Sequence, residues 1–179
     1  MKQLAAIVMA GMSYFSSHAQ TYLTRNGQIS FYSKTSMEDI KAENKQVFAA
    51  IDLSKKSLAF TLLLKSFLFD KQLMQDHFNE NYVESDKYPK ASFTGTFKEV
   101  IPATPGKYAV QVQGSLTLHG VTQPVTIPAT LELQSGKLTG KATFTVKPAD
   151  YKISIPSLVR EKIASQITVQ VLAECTPVK

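Results

Sequence analysis

The chain has 179 residues, 44% of them hydrophobic, with a formal net charge of +6, one cysteine and no tryptophan. That length suits one domain able to bury a full core and still enclose a cavity. A lone cysteine excludes an internal disulfide. The basic residues are almost all scattered lysines, with Arg25 and Arg160 the only arginines, which argues against a nucleic-acid surface.

Residues 1–19 read as a signal peptide. Lys2 gives a positive start, Leu4 to Phe15 is mostly apolar, and Ser17-His18-Ala19 supplies the small residues a signal peptidase requires. Cleavage after Ala19 leaves a 20–179 domain with 19 basic and 14 acidic residues, a net charge of +5. No cysteine follows the apolar run to carry a lipid anchor, and no later stretch is long enough to span a bilayer. The expected product is exported and soluble, in the periplasm or secreted.

Tyr22 to Arg25 and Gln28 to Ser33 flank Asn26-Gly27, a strong hairpin signal. Ser36 to Asn44 is expected as a short helix, capped by Ser36 and packed through Met37 and Ile40. Gln46 to Leu53 is a strand, and Ser54 to Ser57 turns it back. Leu58 to Lys65 follows with Leu58, Phe60, Leu62 and Leu64 facing inward, while Leu63 interrupts its polar face.

From Asp70 to Tyr82 the period changes. Met74, Phe78 and Tyr82 recur four apart with Leu73 beside them, which predicts an amphipathic helix begun by Asp70 and plugging or covering one end of the sheet. Phe67 and Phe69 precede it. Ala91 to Glu99 is a strand with Phe93, Gly95 and Phe97 on one face, and Pro102 to Gly106 turns the chain. Lys107 to Val146 then alternates through three strands. Their apolar faces are Tyr108, Val110, Val112, Leu116 and Leu118; Val125, Ile127, Ala129, Leu131 and Leu133; and Leu138, Ala142, Phe144 and Val146. Pro148 to Asp150 and Pro156 break the pattern. Ser157 to Ala164 is expected as a short helix, and Gln166 to Glu174 as the last strand with Ile167 and Val169 inward.

About eight or nine antiparallel strands leave a long open edge unless they close, so an all-β barrel is predicted, with two stacked sheets as the alternative. No enzyme motif intrudes: there is no nucleophile elbow, phosphate loop or Cys-His pairing. After signal removal only His77 and His119 remain, too few for a three-ligand metal site, so no metal or cofactor is expected. His77 is expected to tie the helix to the Lys87-Tyr88-Pro89 turn, and His119 to fix the turn at Gly120. Cys175 reads as a small residue near the end of the last strand. Asp150-Tyr151-Lys152 is a weak candidate for a polar headgroup contact.

Two stretches, MQDHFNENYVESDKYPKASF from Met74 to Phe93 and GSLTLHGVTQPV from Gly114 to Val125, resemble the YceI-like family. The first keeps His77, Tyr88, Pro89 and Phe93. It has Met74-Gln75 where many members carry Arg-Asp, and Tyr82-Val83-Glu84 where Phe-Phe-Asp is usual. The resemblance runs over about residues 22 to 175. It implies a lipocalin-like antiparallel barrel of about eight strands, exported in bacteria, holding an apolar chain of polyisoprenoid type in its lumen.

The proposed lining is Phe60, Leu62, Phe93, Phe97, Val110, Val112, Leu116, Ile127, Leu131, Phe144, Ile167 and Val169, with Met74, Phe78 and Tyr82 closing one end. The expected partner is an apolar small molecule such as a polyisoprenoid or fatty chain, with transient membrane-surface contact and oligomer formation left open. Two other readings stand beside the carrier. One is an enzyme on a lipid-like substrate with His77 or His119 as acid–base; the other is a filled barrel acting as an interaction module.

Overall fold

The computed structural model describes residues 21–178; the predicted signal peptide lies outside the described residues. Alternating apolar and polar side chains build nine strands: β1 (Thr21–Lys34), β2 (Asp39–Asp52), β3 (Ser57–Leu63), β4 (Leu68–Phe69), β5 (Lys90–Thr96), β6 (Gly106–Leu118), β7 (Val121–Gln134), β8 (Lys137–Val146) and β9 (Ile167–Pro177). Eight of them pair antiparallel in the order β1-β9-β8-β7-β6-β5-β3-β2, and β1 also pairs with β2, which closes the ring. Closure satisfies both edges of every long strand. The two-residue β4 pairs with Ala42 and Glu43 of β2, on the edge that β3 covers farther along.

The N-terminal quarter departs from the sequence expectation. Asn26-Gly27 is not a hairpin turn; it lies inside β1, where the register slips between Thr24 and Gly27 and again between Gly27 and Ile29. A bulge of this kind inserts an extra residue and flips the side-chain phase. Gly27 belongs there because a Cβ would lie 3.1 Å from the Val47 carbonyl oxygen. The helix expected over 36–44 is also absent: β2 already runs from Asp39. Its buried positions are Ala42 and Asn44, then Val47, Ala49 and Ile51, so the phase changes across the bulge. Asn44 fills a wall position by donating from Nδ2 to the Leu63 carbonyl at 3.0 Å and accepting the Gln46 N–H at 2.8 Å.

The predicted helix is present but short. α1 (Gln72–His77) passes directly into a single π turn, Phe78–Tyr82. Its N-cap is Lys71, with no side-chain cap, so Asp70 does not start it. The second expected helix shrinks to a 3-10 turn, Ser157–Val159. Both segments sit at the same end of the barrel.

That end differs from its opposite. At one, Tyr22, Ile51, Phe97, Val110, Leu133, Leu138, Ala173 and Cys175 form a dense buried cluster. Cys175 pairs across from Leu138, and burial pushes its thiol up to about 11. At the other, Leu64, Phe67, Val83, Tyr151 and Ile153 form a second cluster under α1 and the 147–166 segment.

Candidate functional site

Between the two clusters the barrel is hollow, with a cavity of about 600 Å³. Its wall follows from the alternation of the strands. Ile51, Leu58, Val112, Leu131 and Gly140 form a floor on top of the closed-end cluster. Above it lie Phe60, Leu62, Phe93, Leu116, Ile127, Phe144, Val169 and Val171. Phe60, Phe93, Leu116, Phe144 and Val169 are only half-buried although they point away from bulk water. The surface they expose is cavity wall.

Two glycines keep the middle of the lumen open. Gly95 on β5 and Gly114 on β6 are paired across the strands. A Cβ on Gly95 would lie 2.8 Å from Phe93 Cζ, and one on Gly114 would lie 2.6 Å from the same atom and 2.3 Å from the Thr94 carbonyl oxygen. The Phe93 ring therefore lies flat over the glycine pair instead of crossing the lumen.

Four rings gather at the open end: Phe31 from β1, Phe67 after β3, Phe69 from β4 and Phe78 from the π turn. Their centroids are 5.1–5.7 Å apart in tilted and edge-on arrangements, each contact contributing about 0.5–1.5 kcal/mol beyond burial. Met74 and Tyr82 complete this side, and burial pushes the Tyr82 phenol up, so it stays neutral. Opposite them, Pro148, Ile153, Ile155, Val159 and Ile163 line the rim. Among the described residues, charged side chains border the cavity at the opening, where Lys71 Nζ lies 3.2 Å from Glu38 Oε1 and where His77 and Lys162 are exposed.

Thirteen of the fifteen residues expected from the sequence line this cavity. Phe97 and Val110 do not: they point inward but lie beyond the floor, in the packed cluster. The sequence reading missed Phe31, Phe67 and Phe69, and also the rim residues of the 147–166 segment. The Ile153–Ile155 alternation and the four-residue step from Val159 to Ile163 were the available signals.

His119 fixes the turn at Gly120 as expected, whereas His77 departs from expectation. His77 is exposed at the opening and does not hold the Tyr88 turn. His119 does. It opens a two-residue turn with Gly120, both at positive φ, between Leu118 and Val121. Its Nδ1 donates to the Tyr151 carbonyl at 3.0 Å, and its Nε2 lies 2.6 Å from Glu84 Oε2. Tyr88 packs edge-on against the imidazole at 4.6 Å, and a Cβ on Gly120 would sit 2.5 Å from the Tyr88 ring. This clasp joins the β6–β7 turn, the end of the helical segment and the 3-10 turn Pro148–Tyr151. Both ring nitrogens are engaged, and His119 does not line the cavity. Of the Asp150-Tyr151-Lys152 triplet, Tyr151 is buried in the open-end cluster and the other two are exposed outside the lumen.

A ring of eight antiparallel strands around an apolar lumen open at one end defines a lipocalin-like hollow barrel. The chain belongs to the YceI-like family: the model of the YceI-like domain matches residues 16–175. A UPF0312 protein of Pseudomonas putida strain W619 is 33% identical over 96 residues, covering 50% of this chain and 48% of that protein. The chain thus spans about half the length of the curated relatives it matches.

Among solved structures, a polyisoprenoid binding domain from Saccharophagus degradans implicated in plant cell wall breakdown superposes with a TM-score of 0.76 at 16% identity. The match covers 89% of this chain and 99% of that one. BcnA of Burkholderia cenocepacia superposes with a TM-score of 0.71 at 20% identity, covering 84% and 96%. At such identities these two show a shared fold.

Proposed function

We propose that this protein holds a long apolar chain, an isoprenoid or similar lipid, in the barrel lumen, as a carrier or store and not as an enzyme. The observation that carries the reading is the ring of inward-facing aromatic and aliphatic side chains that still present accessible surface to a cavity of about 600 Å³. A lumen of that size takes on the order of twenty water-sized groups at ~30 Å³ each. Burying roughly 500 Å² of ligand at about 25 cal/mol/Å² supplies on the order of 12 kcal/mol before ordering costs, which is enough for useful affinity without directional chemistry. The Saccharophagus degradans neighbour, described as a polyisoprenoid binding domain, supports the same class of ligand. The engaged His119 and the solitary His77 at the opening favour binding over turnover.

The reading includes export, supported by the pattern of residues 1–19; N-terminal sequencing of the processed protein should begin at Gln20. Organic extraction of purified protein followed by mass spectrometry should yield a stoichiometric lipid, and delipidated protein should take up an added isoprenoid. Neither bound lipid nor uptake would overturn the proposal.

A further inference from the structure

The large apolar side chains that this protein exposes are concentrated at one end. Five of the seven among the described residues, Met37, Leu63, Leu68, Leu73 and Leu158, lie at the open end. Single exposed leucines are ordinary, but apolar tips gathered around an opening mark an interaction surface. Three segments carry four of them to the rim. Met37 (60% exposed) sits beside Glu38 in the β1–β2 turn, Leu68 (67%) between Phe67 and Phe69, and Leu158 (94%) beside Val159; Leu73 borders the cavity itself. The Lys71–Glu38 ion pair ties the first two segments together. The third is fastened to β1 where the Ala164 N–H donates to Ser33 Oγ at 2.8 Å.

Charge divides the rim. Near Met37 and α1, Lys34, Lys41 and Lys71 are balanced by Glu38, Asp39, Asp70 and Asp76. The 147–165 segment instead carries Lys147, Lys152, Arg160 and Lys162 against Asp150 and Glu161, and its tip is Leu158. A fully exposed leucine flanked by cations complements a bilayer with acidic headgroups: the apolar tip enters the acyl boundary while the cations stay at the phosphates.

We propose that the open end docks on an anionic lipid bilayer through Leu158, Leu68 and Met37, with Arg160 against the headgroups. This rests on the lipid-binding reading, since it gives a hydrocarbon chain a path between bilayer and lumen that avoids water. The test is flotation of the full chain with phosphatidylcholine vesicles, with and without phosphatidylglycerol, alongside loading of the lumen by an apolar fluorophore delivered from cyclodextrin. None of the substituted residues lines the cavity.

The unchanged chain should float with the acidic vesicles. Leu68→Asp combined with Leu158→Asp should weaken that binding ~10-fold or more, and Arg160→Glu ~5-fold or more on acidic vesicles only, all with fluorophore loading intact. Docking is overturned if the unchanged chain ignores acidic vesicles or if the leucine variant floats equally well. It is also overturned if those substitutions instead abolish self-association or a contact with another protein. Failure of fluorophore loading in the unchanged chain would count against the lumen reading and leave the flotation result standing on its own.

Discussion

The two ends of this barrel are made from the same strands and differ in what their inward side chains meet. At the closed end, Leu138, Ala173 and Cys175 face Tyr22, Ile51 and Phe97, and nothing is left between them. Halfway up, Phe144 and Val169 on the same strands β8 and β9 face open space. The hollow is made by local choices: Phe93 lies back on two glycines, and the aromatic rings of the open end pack sideways against one another instead of across the lumen. One end is built for stability and the other for room.

The contrast can be broken by substitution. Leu138→Ala should cost about 2–5 kcal/mol, because it opens a void in a filled cluster. Phe144→Ala should cost about 1–2 kcal/mol, because a side chain bordering a void has fewer contacts to lose. Urea unfolding of the two variants checks the pair; equal losses would mean that the lumen wall is packed as tightly as the floor. Gly114→Ala should cost about 1–3 kcal/mol by overpacking. It should also drive Phe93 into the lumen, reducing uptake of an apolar fluorophore; uptake equal to that of the unchanged chain would show the ring is not held by the glycine pair.

His119→Ala should cost about 1–3 kcal/mol, because the Tyr151 carbonyl loses its donor. Amide exchange should rise over 147–153 and around Glu84 while the closed end stays protected. The smallest effect is at Asp52. Its carboxylate accepts from Ser54 Oγ at 2.6 Å, from the Lys55 N–H at 2.8 Å and from Thr21 Oγ1 at 3.0 Å, with Lys55 Nζ at 3.7 Å. These contacts hold its pKa down at about 2, against an ordinary 3.8. The folded value lies below the unfolded one, so the stabilisation is complete above about pH 4 and is lost as pH falls toward 2. Asp52→Asn should therefore flatten the acid side of a stability–pH curve, most visibly between pH 4 and pH 2, and leave the alkaline side unchanged.

Where period two is unbroken, the fold could be read from the chain. β6, β7, β8 and β9 appear in the sequence as strict alternation, and that alternation also named most of the cavity wall. The reading failed where the period is interrupted. In β1 and β2 the bulge around Gly27 changes which face is inward, and Asn44, expected at the end of a short helix, is a buried polar residue of the wall. A short window there shows Met37 and Ile40 three apart and mimics a helix. How far the lumen reaches was hidden for another reason. Val110 and Val112 are two positions apart on one strand and equally apolar, yet the first lies beneath the floor and the second forms it. Alternation fixes the face, and only the packing of the other strands fixes the depth. The clasp at His119 depends on Glu84 and Tyr151, each more than thirty positions away, which no local pattern signals.

The join between β1 and β9 has a bearing on how the molecule is made. Both partners of β1 are needed to cover it, and one of them is β9, the last strand among the described residues. A chain growing from its N-terminus can pair β1 with β2 early, but the free side of β1 and the free side of β8 must wait for Ile167–Pro177. Ring closure is then a late, long-range event, the kind that slows folding and leaves unpaired strands open to capture by other chains. Any factor that escorts this protein before it is complete has those two borders to shield.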